Sequence, residues 1–164
     1  MKKQSFLSEL MKGGKIELVE PSVAISESYL EKSNNSLKSS KILLKNNLYE
    51  NSISMSYYAM YNCLLALLFK IGIKSKNHSG SILLFKKLFR RFELFKILSF
   101  AKEERIDKQY YVTSKKNFAL TKKSASNMAK NAEVVTVQLK LILKNMNNEN
   151  IQILRKKFTE VTKK

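Results

Sequence analysis

The chain of 164 residues suits one domain with a sizeable core and is too short for two comfortable ones. With 4 Gly and 1 Pro it lacks the punctuation of sandwiches and barrels, and 31 Lys and Arg against 13 Asp and Glu give a net charge of +18, so a polyanion or an acidic partner is the first expectation. A single cysteine, Cys63, and a single histidine, His78, exclude a disulfide framework, a cysteine zinc site, a histidine-cluster metal site and any Ser-His-Asp triad not built on His78.

Residues 1–21 read as a short amphipathic lead-in, broken at Gly13-Gly14 and closed by Glu20-Pro21. This start carries basic residues but no apolar stretch long enough for a signal peptide, and the longest apolar run is about one third of a membrane span. The expectation is a cytoplasmic protein that does not enter a membrane. Pro21 suits the edge of a helix start and Ser22 a position near its cap. From there to about Asn46, Leu30, Leu37 and Leu44 recur every seven residues, with Ser26, Ser33 and Ser40 four residues ahead of each. Such a Leu/Ser seam lets a neighbouring helix approach closely and predicts packing rather than chemistry.

Asn46-Asn47 is a turn signal. The next helix, from about Tyr49 to Ile71, is apolar nearly all round and is predicted to be the central element. Cys63 sits in its run of Leu and Phe, which predicts a buried thiol. Gly72 ends it, and Ile73 to Ser79 reads as a polar loop. Ser79 or Ser81 is expected to cap a third helix whose stripe is Leu84, Phe85, Leu88, Phe89 and Phe92. A fourth, about Glu93 to Asp107, points Phe95, Leu98 and Ala101 inward, and residues 110–117 read as irregular chain. The last long helix, about Thr121 to Met146, repeats Ala125, Met128, Ala132, Val135, Leu139 and Ile142 at the helical period. Asn147-Asn148 breaks it before a basic helix from Ile151 to Val161. The fold expected is all-α: an up-and-down bundle of four to five main helices over 22–146, followed by a short C-terminal helix within 147–164. A di-iron bundle needs two Glu-x-x-His pairs and the chain has none, so neither metal nor cofactor is assigned.

No acid separates Glu50 from Glu93, or Asp107 from Glu133, while lysines and two arginines fill both intervals. If the two meet at one end of the bundle they form a phosphate-binding patch; otherwise they are a solvated face of a lysine-rich protein.

Leu48-Tyr-Glu-Asn-Ser-Ile-Ser-Met-Ser-Tyr57-Tyr58-Ala-Met-Tyr61-Asn62, with Ser39 to Tyr49 before it and Lys76-Asn77-His78-Ser79-Gly80 after it, resembles the stand-alone prokaryotic group of the HEPN superfamily. The resemblance covers roughly residues 20 to 146. It implies a helical bundle that forms a homodimer, a minimal nucleotidyltransferase as antitoxin-like partner, RNA or nucleotide as ligand, and in many members metal-independent endoribonuclease activity. The family's polar motif falls on Arg105 to Tyr111. Arg105 stands at the motif arginine, Gln109 where an Asp is usual, and Tyr110 both at the family tyrosine and where the nuclease His would fall. A phenol with a pKa of about 10 is a poor base at pH 7. Two readings therefore stand: a toxin-like RNA-binding protein with endoribonuclease activity through Arg105 and Tyr110, or a non-catalytic module that binds nucleotide or regulates the nucleotidyltransferase. Under both, Lys76, His78, Arg105, Lys108, Gln109 and Tyr111 are the candidate ligand contacts. The residues' own chemistry leaves His78 bonding within the loop before the third helix, and Tyr57, Tyr58 and Tyr61 in the core or a dimer interface.

Overall fold

The computed structural model describes residues 5–110 and 120–163, and the side chains of 107–110 lie outside that description. In chain order the described elements are α1 (Phe6–Lys12), β1 (Ile16–Leu18), α2 (Val23–Lys45), α3 (Tyr49–Lys70), β2 (Ile73–Ser75), α4 (His78–Phe89), α5 (Phe92–Tyr110), α6 (Lys122–Lys144) and α7 (Asn148–Thr162). The all-α bundle expected from the sequence is the architecture found.

The seam between α2 and α3 organises it. Ser26, Ser33 and Ser40 are all buried. The Ser26 hydroxyl donates to the carbonyl of Ala66 (2.8 Å), that of Ser33 to Ala59 (2.7 Å), and Ser52 answers from α3 by donating to the carbonyl of Ser40 (2.8 Å). Small side chains that spend their hydroxyls on the opposite backbone leave no gap for anything larger. Ser33→Leu is therefore expected to cost about 1–3 kcal/mol by overpacking, against about 1 kcal/mol for the bond lost in Ser33→Ala. Urea midpoints of the two variants check this; a Leu variant as stable as the Ala variant would mean the helices have room to spare.

α3 has the length and hydropathy of a membrane-crossing helix, but most of it is buried inside the bundle. Ile53, Tyr57, Ala59, Met60, Leu64, Leu67 and Leu68 are sealed from solvent, and α6 covers its far side with Ala125, Met128, Ala132, Val135 and Leu139. Burial pushes the Cys63 thiol up to about 11, so it packs as a protonated small hydrophobe.

Four local readings are corrected. Ile73–Ser75, expected as loop, is a strand antiparallel to β1, with Ile16 opposite Ser75 and Leu18 opposite Ile73. Three residues per strand are too few for alternation to register in a sequence. The cap of α4 is Asn77, whose side chain accepts from Gly80 N–H at 2.7 Å, rather than Ser79 or Ser81. α4 also stops earlier than its apolar stripe, because Arg90 takes a left-handed conformation (φ 55°) and turns the chain, so Phe92 opens α5 and is about half exposed. α5 in turn continues to Tyr110, three residues beyond the expected end.

The lead-in and the tail join the same core. Leu7, Ile16, Ile151 and Phe158 belong to the cluster centred on α3. Asn147 starts α7 with a capping box. From that helix the Arg155 Nη1 reaches the carbonyls of Val19, Ile71 and Gly72 at 2.8, 3.0 and 3.1 Å, and Lys157 donates to the carbonyl of Leu88 at the end of α4 (2.9 Å).

Candidate nucleotide-phosphate site

His78 is the first residue of α4, and the fold lays it on the middle of α3. Its ring stacks on Tyr61 (centroids 3.9 Å apart, planes 9° apart) and its Nδ1 lies 2.5 Å from the Tyr57 hydroxyl. The expectation of a bond within the loop is corrected: the partner stands 21 residues earlier, on the core helix. Tyr61 in turn bonds Ser81 (3.1 Å), and Ser81 donates to the carbonyl of Asn77 (2.9 Å) and contacts Ser75 (2.8 Å), which ties the α4 start to β2. Tyr57 is fully buried, and burial raises its phenol far above the ordinary range, so it stays protonated.

α5 supplies the charge. Lys102 and Arg105, three residues apart, share a helix face. Lys102 donates to Ser79 Oγ (2.6 Å), beside His78. The Arg105 guanidinium lies over Tyr58 (4.8 Å to the ring centroid) and Tyr57 (5.6 Å). Its Nε is buried with no hydrogen-bond partner, the one such side-chain polar atom among the described residues. With Lys76, Asn77 and Ile106 these side chains line a cavity of about 370 Å³ that has no acidic side chain among its lining residues.

That setting acts on His78. Burial first, then the charges of Arg105 and Lys102, hold its pKa below the ordinary 6.5. The unfolded chain titrates at the ordinary value, so in the window between the two it binds the extra proton and the folded state does not. Stability contributed here is intact above roughly pH 7 and falls as pH drops through the lowered value. The wild type is expected to lose more stability than a His78→Gln variant as pH falls from 7.5 to 5.5. Equal losses in urea titrations at the two pH values would show that His78 titrates as a free side chain.

Of the residues expected at a ligand site, the structure brings Lys76, His78 and Arg105 to one cavity. Lys108, Gln109 and Tyr110 lie on the last turn of α5 with side chains outside the described residues, and Tyr111 lies outside them altogether. Lys115 and Lys116 of the second acid-free interval are outside as well, and the cavity takes its cations from Lys76 and from α5 instead. The sequence reading missed Lys102 and Ser79 as site residues. Lys102 carried a signal in its i, i+3 spacing to Arg105; Ser79 carried none beyond its place next to His78. A larger groove of about 520 Å³, lined by Phe89, Leu141, Ile142, Met146 and Leu154 among others, has Arg91 as the one charged residue of its lining and no acid–base group.

The sequence profile of the HEPN domain matches residues 26–142. The matched stretch holds Tyr57, Lys76, His78, Ser79, Lys102 and Arg105, and leaves out α1, β1 and α7. Over 56 residues the chain is 41% identical to a UPF0332 protein of Gloeobacter violaceus, which covers 34% of this chain and 44% of that one. Over 92 residues it is 34% identical to a Methanocaldococcus jannaschii protein named "Putative toxin", covering 53% of this chain and 63% of the other. The similarity thus spans about half the length of these relatives.

Proposed function

The chain belongs to the HEPN domain family, and on that premise we propose that it is a toxin-like HEPN protein whose cavity between the start of α4 and α5 binds the phosphate of RNA or of a nucleotide. The observation that carries this reading is the convergence of Lys76, Lys102, Arg105 and the Ser79 hydroxyl on one cavity without a lining acid, beside an Arg105 Nε that has no partner of its own. Charge-assisted donors of this kind are what a phosphate oxygen requires, and a net charge of +18 draws polyanions toward it. The Methanocaldococcus relative's name supports the toxin-like assignment.

A second reading, metal-independent cleavage of RNA, draws on His78, because the chain's one histidine lies in the same cavity as Arg105. One experiment separates the two. Wild type, Arg105→Ala and Lys102→Gln are incubated with labelled single-stranded RNA, without metal, across a salt series. Each variant is expected to bind about tenfold more weakly, with a shallower salt slope by roughly 0.7 per lost phosphate contact. Intact RNA at the end leaves binding alone, and products that Arg105→Ala abolishes establish the nuclease. Variants that bind like wild type would sink both readings.

For assembly we carry over from the family likeness a two-fold homodimer and a minimal nucleotidyltransferase partner, acting in the cytoplasm. Sedimentation of the purified chain as a 19.0 kDa monomer at micromolar concentration removes the homodimer.

A further inference from the structure

We propose that this cavity takes a terminal phosphate monoester, at the end of an RNA strand or on a mononucleotide, rather than a phosphodiester inside a chain. The proposal rests on the reading of the cluster as a phosphate site and narrows it to one class of ligand.

Charge points first in this direction. Lys76, Lys102 and Arg105 bring three positive charges to a cavity with no acidic lining residue. An internal diester carries one negative charge, whereas a monoester approaches two near pH 7 and offers three terminal oxygens. Lys102 already donates to Ser79 Oγ, so the Ser79 hydroxyl hydrogen is left to donate elsewhere. The first-turn amides of His78 and Ser79 have no partner within α4, and the positive end of that helix adds to the same field.

His78 completes a set made of donors. Among the described residues the buried Tyr57 hydroxyl has one hydrogen-bond partner, His78 Nδ1, and donating there is the arrangement that leaves no buried hydroxyl proton unpaired. Nδ1 is therefore the acceptor and the ring proton sits on Nε2. In this tautomer His78 offers an N–H and no free lone pair. It suits a phosphate oxygen, and it does not suit the task of taking a proton from a 2′-hydroxyl. Tyr57 is thus a positioning residue for His78.

Shape agrees. A cavity of about 370 Å³ is at the small end for ligand sites. Behind His78 the stacked rings of Tyr57 and Tyr61, both buried, close the inner side.

The test compares one RNA oligomer bearing a 5′-phosphate, a 3′-phosphate or two hydroxyl ends, with adenosine monophosphate as competitor, on wild type, Arg105→Gln and Lys102→Gln. Expected is binding about tenfold tighter for a phosphorylated end, with the gain lost in both variants. The end that gives the gain identifies the strand terminus. A gain at neither end, together with tight variant-sensitive binding of the mononucleotide, identifies the free nucleotide. Equal binding of all three oligomers and no binding of the mononucleotide, still weakened by Arg105→Gln, overturns the proposal and leaves the phosphate reading standing. Loss of all binding removes both, and a gain that persists in both variants places the monoester elsewhere. Because the chain has one histidine, ¹⁵N-histidine NMR reads His78 alone. The Nε2–H tautomer is expected in wild type and a mixture in Tyr57→Phe; an Nδ1–H tautomer in wild type overturns the donor role.

Discussion

Gly72→Ala is expected to cost about 3–5 kcal/mol, a large share of the roughly 5–15 kcal/mol that keeps a domain folded. Gly72 ends α3 at φ +74°, where a side chain costs about 1–2 kcal/mol. Its added Cβ would stand 2.0 Å from Arg155 Nη1, 2.4 Å from the carbonyl oxygen of Val19 and 2.9 Å from Pro21 N. Two of those three neighbours are backbone and cannot swing aside, so overpacking adds about 1–3 kcal/mol. The third is the guanidinium that holds Val19, Ile71 and Gly72 together, and moving it breaks those contacts too. Urea denaturation gives the number directly. A loss below about 1 kcal/mol, the range of an unremarkable substitution, would mean that the turn reforms around the methyl group.

Tyr57→Ala carries the other large effect, about 3–5 kcal/mol from deleting a fully buried ring. The ring touches Tyr58, Tyr61, His78 and Arg105, so its loss is also expected to abolish whatever binding the α4–α5 cavity supports. Tyr57→Phe separates the two consequences. It keeps the packing and removes one hydrogen bond, at about 1–2 kcal/mol for the unsatisfied His78 nitrogen. A Phe variant as unstable as the Ala variant would show that the hydroxyl, rather than the ring, holds this part of the core.

What could be read from the sequence divides along the range of the interactions. The leucine and serine repeat of α2 announced its own packing face, because a helix writes its buried side every three or four residues. α3 announced its central place by being apolar all round. The strand pair could not be read, since what makes Ile73–Ser75 a strand is Ile16–Leu18, more than fifty residues earlier. The site divides in the same way. Arg105 stood out through its local motif, and His78 through being the one histidine. That the two line one cavity depends on how α4 and α5 meet over α3, and no spacing along the chain encodes it. Asn77 as the cap was open to inspection, but the serines that follow competed for the same role.

The guanidinium of Arg155 also sets an order in time. The strand pair it fastens is complete once residue 75 has been made, yet the clamp arrives with residue 155. At roughly 5–20 residues per second of synthesis, the carbonyls of Val19 and Ile71 wait on the order of ten seconds for the guanidinium, while that of Gly72 already accepts from Val19 N–H. During translation the N-terminal strand and the family-matched bundle of 26–142 are both made before the clamp, so until Arg155 emerges the strand is held without it. A chain halted on the ribosome before residue 155 is therefore expected to lose residues 5–20 to proteases faster than the finished fold does.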